Sequence, residues 1–132
     1  MGKFRDRRNI YLFFNPWGKN SRFFYRLPPV RLADGSTPSE GRVEVFSGDA
    51  WGTVCDNRWS LRDAMVICRE LGLGGAVGAP KWALFGRGFG LNILLDNVGC
   101  TGNEETIFDC RHSGLGIHNC HHFQDAGVRC GK

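Results

Sequence analysis

Four cysteines recur every ten residues, at Cys100, Cys110, Cys120 and Cys130, with His112, His118, His121 and His122 set among them. Cys and His together suggest three chemistries: a zinc site, a thiolate nucleophile or a set of disulfides. Zinc ligands usually come in Cys-x2–4-Cys or His-x3–5-His pairs, whereas these cysteines stand ten apart. Cys55 and Cys68 raise the count to six, and an even number in a short chain with 19 glycines reads as a disulfide framework. Fifteen pairings are possible for six cysteines. If all are paired, no thiolate remains for a metal or for a Cys/His nucleophile. Gly86-x-Gly88-x-Gly90 lies in a loop before a strand, without the strand–turn–helix setting of a phosphate or dinucleotide site. The residues therefore predict no enzyme.

The elements that must hold these cysteines are short. Arg42-Val43-Glu44-Val45-Phe46 alternates as a half-buried strand does, Ser47 to Ala50 supplies a turn, and Trp51 to Cys55 returns, so a hairpin is expected. Ser60 with Asp63 resembles a capping box, followed by Leu61, Ala64, Met65, Cys68 and Leu71 at helical spacing and by Gly72 as the stop. That helix is expected to turn Cys68 inward. The stretch from Gly72 to Gly90 reads as loop, Asn92 to Val98 as a strand and Ala126 to Cys130 as a short closing strand.

The 132 residues suit one domain with a modest core, where each disulfide typically adds ~2–4 kcal/mol. The net charge of +4 hides an asymmetry. Residues 1–29 carry seven Lys and Arg against one acid, a net +6, and residues 30–132 carry ten against twelve, a net −2. The cysteine-bearing part is thus mildly acidic, and no nucleic-acid partner is expected. Residues 1–29 mix arginine with aromatics without periodicity and end at Pro28-Pro29, so they read as an unstructured extension outside the domain. Bound to anything, such a segment would suit nucleic acid or an anionic membrane surface. No apolar run approaches the ~18–20 residues of a membrane span. Disulfides imply secretion or an ectodomain, yet Ile10–Phe14 is too short for a signal-peptide core. The expectation is a piece of a longer exported protein.

Taken in order, VRLADG, EGRVEVF, WGTVCDNRWS, DAMVICRELGL, FGRGFG, LDNVGCTGNEE, DCRHSG and HNCHHFQDAGVRC cover Val30 to Cys130, about three-quarters of the chain. This stretch resembles the scavenger receptor cysteine-rich (SRCR) domain, in its six-cysteine group A form. The resemblance implies an SRCR domain over 30–131 with an α+β fold, in which a small curved antiparallel sheet cradles one main helix between long stapled loops. It implies the pairs Cys55–Cys120, Cys68–Cys130 and Cys100–Cys110. It also implies a Ca²⁺ site at Asp56, Asn57 and Glu104, with Asn57 standing where an Asp is usual and one negative charge lost. A second, weaker cation position would fall at Asp63, Asp96 and Asn119. Calcium takes oxygen ligands, and carboxylates from two loops would suit it.

A cation there would invert the local potential, and Arg58, Arg62, Arg87 and Arg111 would add charge-assisted contacts to an anion. The function implied is an extracellular, non-catalytic, Ca²⁺-assisted ligand-binding module of scavenger-receptor type, for polyanionic or microbial surfaces or for proteins. The alternative is an accessory protein-interaction module of a larger secreted enzyme, lysyl-oxidase-like or serine protease. A structural spacer in a tandem array is the third.

Overall fold

The computed structural model of the protein describes residues 29–131 with their side chains and, before them, the backbone of three strands. These are β1 (Lys3–Arg5), β2 (Ile10–Phe14) and β3 (Arg22–Arg26), paired antiparallel in the order β1-β2-β3. The sequence predicts no element there, because nothing alternates. β2 and β3 coincide instead with runs rich in aromatic residues, which favour extended backbone irrespective of periodicity. The side chains of residues 1–28, on which the nucleic-acid or membrane reading would rest, lie outside the described residues.

The second sheet contains β4 (Val30–Asp34), β5 (Glu40–Ser47), β6 (Ala50–Val54), β7 (Gly75–Gly78), β8 (Asn92–Leu95) and β9 (Gly127–Gly131). Its order is β7-β9-β5-β6-β8, with β4 laid along β5. The expected hairpin is β5–β6, closed at Ser47↔Ala50, where Gly48 takes the left-handed φ of 67° that a tight turn requires. β7 falls in the stretch read as loop, a short edge strand without an alternating signal, and β4 falls where the sequence predicts no element. The sheet is not wholly antiparallel, since β6 and β8 run parallel from Gly52↔Asn92 to Val54↔Leu95. Gly52 permits that pairing, because a Cβ there would stand 2.4 Å from Leu94 Cγ.

β5 is buried on both faces, not half-buried as its alternation predicts. Val43 and Val45 are fully buried on one side, while Arg42 and Glu44 are 6% and 2% exposed on the other. The chain around Phe85 and Gly86 lies over that second face, and both carbonyls accept from Arg42 Nη1.

The single helix, α1 (Leu61–Glu70), links the hairpin to β7. Its inward face differs from the one predicted. Asp63, Ala64, Val66, Ile67 and Cys68 are buried, while Leu61 and Met65 are 48% and 39% exposed. Two tethers set this rotation. Cys68 is bonded to Cys130 on β9, and Asp63 accepts the backbone N–H of Cys100.

The core joins Val43, Val45, Val54, Val66, Ile67, Leu95, Val98, Ile107 and Val128, all fully buried, so each contributes about 1.5–3 kcal/mol by leaving water. Trp59 closes it, donating from Nε1 to the Gly127 carbonyl at 2.8 Å. The disulfides are Cys55–Cys120, Cys68–Cys130 and Cys100–Cys110, the pairing that the resemblance implies. Two bridges pin distant segments, 65 and 62 residues apart, and the third closes a ten-residue loop. Among the described residues no helix is long and apolar enough to cross a membrane.

Candidate functional site

The arginines divide into two kinds. Arg31 pairs with Glu44 at 2.7 Å, Arg42 with Asp34 and Glu44 at 2.8 and 2.9 Å, and Arg129 with Glu40 at 3.4 Å. Arg69 donates to the carbonyls of Gly102 and Glu104. These hold the fold. Arg58, Arg62, Arg87 and Arg111 are all exposed, and among the described residues none of the four forms an ion pair. They are the same four that the sequence singles out for an anionic ligand.

Two of them share a cavity. Arg58 and Arg111 line a concavity of about 340 Å³ with Asn97, His112 and Ser113. Asn97 Nδ2 donates to Ser113 Oγ at 2.9 Å, and the Ser113 N–H donates to the Asp96 carbonyl, so the loops at 96–97 and 111–113 are fastened together. Arg87 belongs to a second concavity of about 440 Å³, with Phe89, His121, His122 and Phe123. Its guanidinium lies 5.9 and 6.0 Å from the Phe89 and Phe123 rings, within cation–π range. Trp82 stacks on the same Phe123 at 6.3 Å. Arg62 stands exposed at the start of α1.

Asp125, 1% exposed, underpins the second concavity. Its carboxylate accepts the Gly88 N–H at 2.7 Å and faces His122 Nδ1 at 3.0 Å, while His122 Nε2 lies 2.7 Å from the Leu91 carbonyl. A side chain at 88 would strike Thr53 Cγ2 at 2.6 Å, so glycine lets this loop settle onto β6.

The residues of the two sets that the resemblance implies are each engaged with neighbouring protein groups. Asp56 is 2% exposed and its Oδ2 accepts the Trp82 N–H at 2.7 Å, which holds Trp82 in a left-handed conformation. Asn57 Nδ2 donates to Asn119 Oδ1 at 3.2 Å, beside the Cys55–Cys120 bridge that Asp96 also borders. Glu104 turns back on its own loop, accepting from the Thr101 N–H and hydroxyl and from the Gly102 N–H. The Thr101 N–H in particular holds its carboxyl down at about 2. Asp63 is fully buried against α1 and Cys100, and burial pushes its carboxyl up. The one side-chain contact described between the two sets is that of Asn57 with Asn119.

For the Cys/His run, Cys120 Sγ is bonded to Cys55 and His118 Nδ1 accepts the Cys120 N–H. Neither atom is free to hold zinc. The two close Cys/acid groups among the described residues, Cys55–Asp96–Cys120 and Cys100–Glu104–Cys110, likewise contain both halves of a disulfide.

The sequence alone does not single out Asn97, Ser113, Trp82, Phe89 and Phe123. Phe89 and Phe123 carried a usable signal, being bulky aromatics in loops between turn residues. Asn97 and Ser113 carried none, since only tertiary pairing brings them together.

One helix on a curled mixed sheet, braced by three disulfides and bearing unpaired arginines on its loops, defines a small cysteine-stapled recognition module. A family model described as the scavenger receptor cysteine-rich domain matches residues 33–131. A scavenger receptor cysteine-rich domain superfamily protein of Patiria pectinifera is 56% identical over 101 residues, covering 76% of this chain and 9% of that relative. The third SRCR domain of murine neurotrypsin superposes with a TM-score of 0.70 at 52% identity, covering 77% of this chain and 94% of that one. The SRCR domain of mouse MARCO, solved in a dimeric form, gives 0.65 at 42% identity with the same coverage, 77% and 94%. The chain belongs to the scavenger receptor cysteine-rich family, whose domains are typically extracellular, generally non-catalytic ligand-binding modules.

Proposed function

We propose that this domain is an extracellular, non-catalytic receptor module that binds polyanionic ligands, such as sulfated or microbial surface polymers, through Arg58, Arg62, Arg87 and Arg111. The observation that carries this reading is the division of the described arginines, with four exposed and without an ion pair while the other four described hold carboxylates or carbonyls. An exposed guanidinium without a carboxylate keeps its five N–H donors for an incoming anion.

Ca²⁺ assists in the same reading. Asn57 and Glu104 are only partly exposed and Asp56 is buried, so a cation would bind with rearrangement of Asp56 and Glu104 away from Trp82 and Thr101. The second position, Asp63, Asp96 and Asn119, is the weaker, because Asp63 is committed to α1 and Cys100.

One observation bears on the alternative, an accessory protein-interaction module of a larger secreted enzyme. The chain spans 9% of the curated relative it matches, and the murine neurotrypsin domain is the third in its parent.

Binding of the chain to immobilised dextran sulfate, with and without EDTA, tests the proposal. Binding that falls with rising salt supports it. No binding at low salt refutes it, and binding indifferent to EDTA removes the cation while leaving the arginines.

A further inference from the structure

The cavity between Arg58 and Arg111 has a more specific character than a basic patch. Its lining comes from three separate loops, at 58, at 97 and at 111–113, and includes no acid. His112 Nδ1 accepts the Gly114 N–H at 2.9 Å, which leaves Nε2 to carry the ring hydrogen as a donor. Ser113 Oγ accepts from Asn97, so its hydroxyl hydrogen is also available. The adjacent Asp96 is buried, 1% exposed, and accepts the Asn97 N–H.

The backbone sets this arrangement under strain. Arg58 and Asn97 have φ of 64° and 54°, and they are two of the five described non-glycine residues in that region. Left-handed residues persist where the surroundings demand them, and they gather at ligand sites. Asn tolerates the conformation; Arg is an unusual occupant.

From this geometry we infer a subsite for a tetrahedral oxyanion ester on a sugar, sulfate or phosphate, clamped between the Arg58 and Arg111 guanidinia and completed by His112 and Ser113. The inference rests on the polyanion reading above and assigns it a place. Donors arriving from three loops suit the three terminal oxygens of a tetrahedral ester better than the two of a planar carboxylate. The lining contains no Trp, Tyr or Phe, so the site reads the charged group ahead of its carrier.

The test is an NMR titration of the full chain, in EDTA, with glucosamine 6-sulfate, glucose 6-phosphate, glucuronic acid and tyrosine O-sulfate. Shifts centred on residues 58, 97 and 111–114 are expected for the sulfate or the phosphate sugar, and the tighter of the two names the ester. Arg58→Gly and Arg111→Gln should each weaken that binding at least about tenfold, as loss of one charge-assisted contact implies. Glycine suits the left-handed backbone at 58, so Arg58→Gly separates lost binding from lost folding.

Unchanged affinity in both variants overturns the subsite, as does equal or tighter binding of glucuronic acid or tyrosine O-sulfate. If those variants retain full dextran sulfate binding while Arg87→Gln loses it, the subsite fails and the receptor reading stands. If the unaltered chain binds no dextran sulfate at all, the receptor reading itself fails.

Discussion

Asp63 Oδ1 accepts the backbone N–H of Cys100 at 2.8 Å while Oδ2 accepts the N–H and the hydroxyl of Ser60. One buried carboxylate therefore caps α1 and fastens the Cys100 loop to it. Asp63→Ala leaves a buried N–H without a partner and removes the cap. The expected loss is about 2–4 kcal/mol, an orphaned donor plus a lost cap. Asp63→Asn keeps one acceptor and should lose less. Urea unfolding of the three proteins measures it, and equal stability of Asp63→Ala would show that the three bonds carry no net weight.

The helix illustrates what the sequence could and could not specify. Ser60, Asp63 and Gly72 mark its ends correctly because capping chemistry is local. Its rotation is legible only in part: Ala64 and Cys68 face inward as the spacing predicts, but Leu61 and Met65, which look like core residues to any helical count, are exposed where the Cys68–Cys130 bridge and the Asp63–Cys100 bond hold the helix. The site shows the same divide. The four arginines were legible as types, and their freedom became visible only once Asp34, Glu40 and Glu44 were seen to satisfy the others.

The disulfides should differ in weight according to the loops they close. In the chain-entropy model, separations of 62 and 10 residues correspond to about 4 and about 2.7 kcal/mol. Replacing Cys68 and Cys130 by alanine should lower stability more than replacing Cys100 and Cys110. Thermal unfolding of the two double variants gives the order, and the reverse order would place the stabilisation in native contacts near Cys100.

Asn57→Asp restores the carboxylate that the calcium reading lacks. The expected outcome is at least a tenfold gain in Ca²⁺ affinity by calorimetry, since ligand charge is one determinant of such affinities. The variant also loses the Nδ2 donor to Asn119, which must turn its own amide to compensate. No heat at millimolar calcium in either protein would eliminate the cation from the mechanism.

Glu104 makes the domain sensitive to strong acid. The Thr101 N–H, first among its bonds, lowers its carboxyl from 4.5 to about 2. A depressed carboxyl stabilises the fold fully above its unfolded value, and that contribution is lost as the pH falls from about 4.5 towards about 2. Hydrogen exchange at the Thr101 and Gly102 amides should therefore stay protected at pH 5 and accelerate below pH 3, beyond the change seen at other loop amides. Glu104→Gln should remove that step, and a titration of Glu104 near 4.5 would contradict it.

Arg42 separates a fold-holding arginine from a ligand-holding one. It is 6% exposed between Glu44, 2% exposed, and the outer Asp34, and it also donates to the carbonyls of Phe85 and Gly86. Burial opposes its charge, but the hydrogen bonds it donates to Glu44 and Asp34 outweigh that and raise its pKa. Truncating it leaves Glu44 buried with Arg31 alone, and breaking such a pair costs about 3–5 kcal/mol. Arg42→Ala should therefore lower stability by about that amount and release the loop at 85–86, whereas Arg111→Gln, at the surface, should change stability by about 0.5 kcal/mol or less. The two variants should exchange places when dextran sulfate affinity is measured on protein still folded, at low temperature. Arg42→Ala should then bind nearly as the unaltered chain does, because its guanidinium is already spent on carboxylates. If it instead abolishes binding while folded, the anion contacts extend onto β5, and the division of the arginines drawn from their ion pairs is wrong.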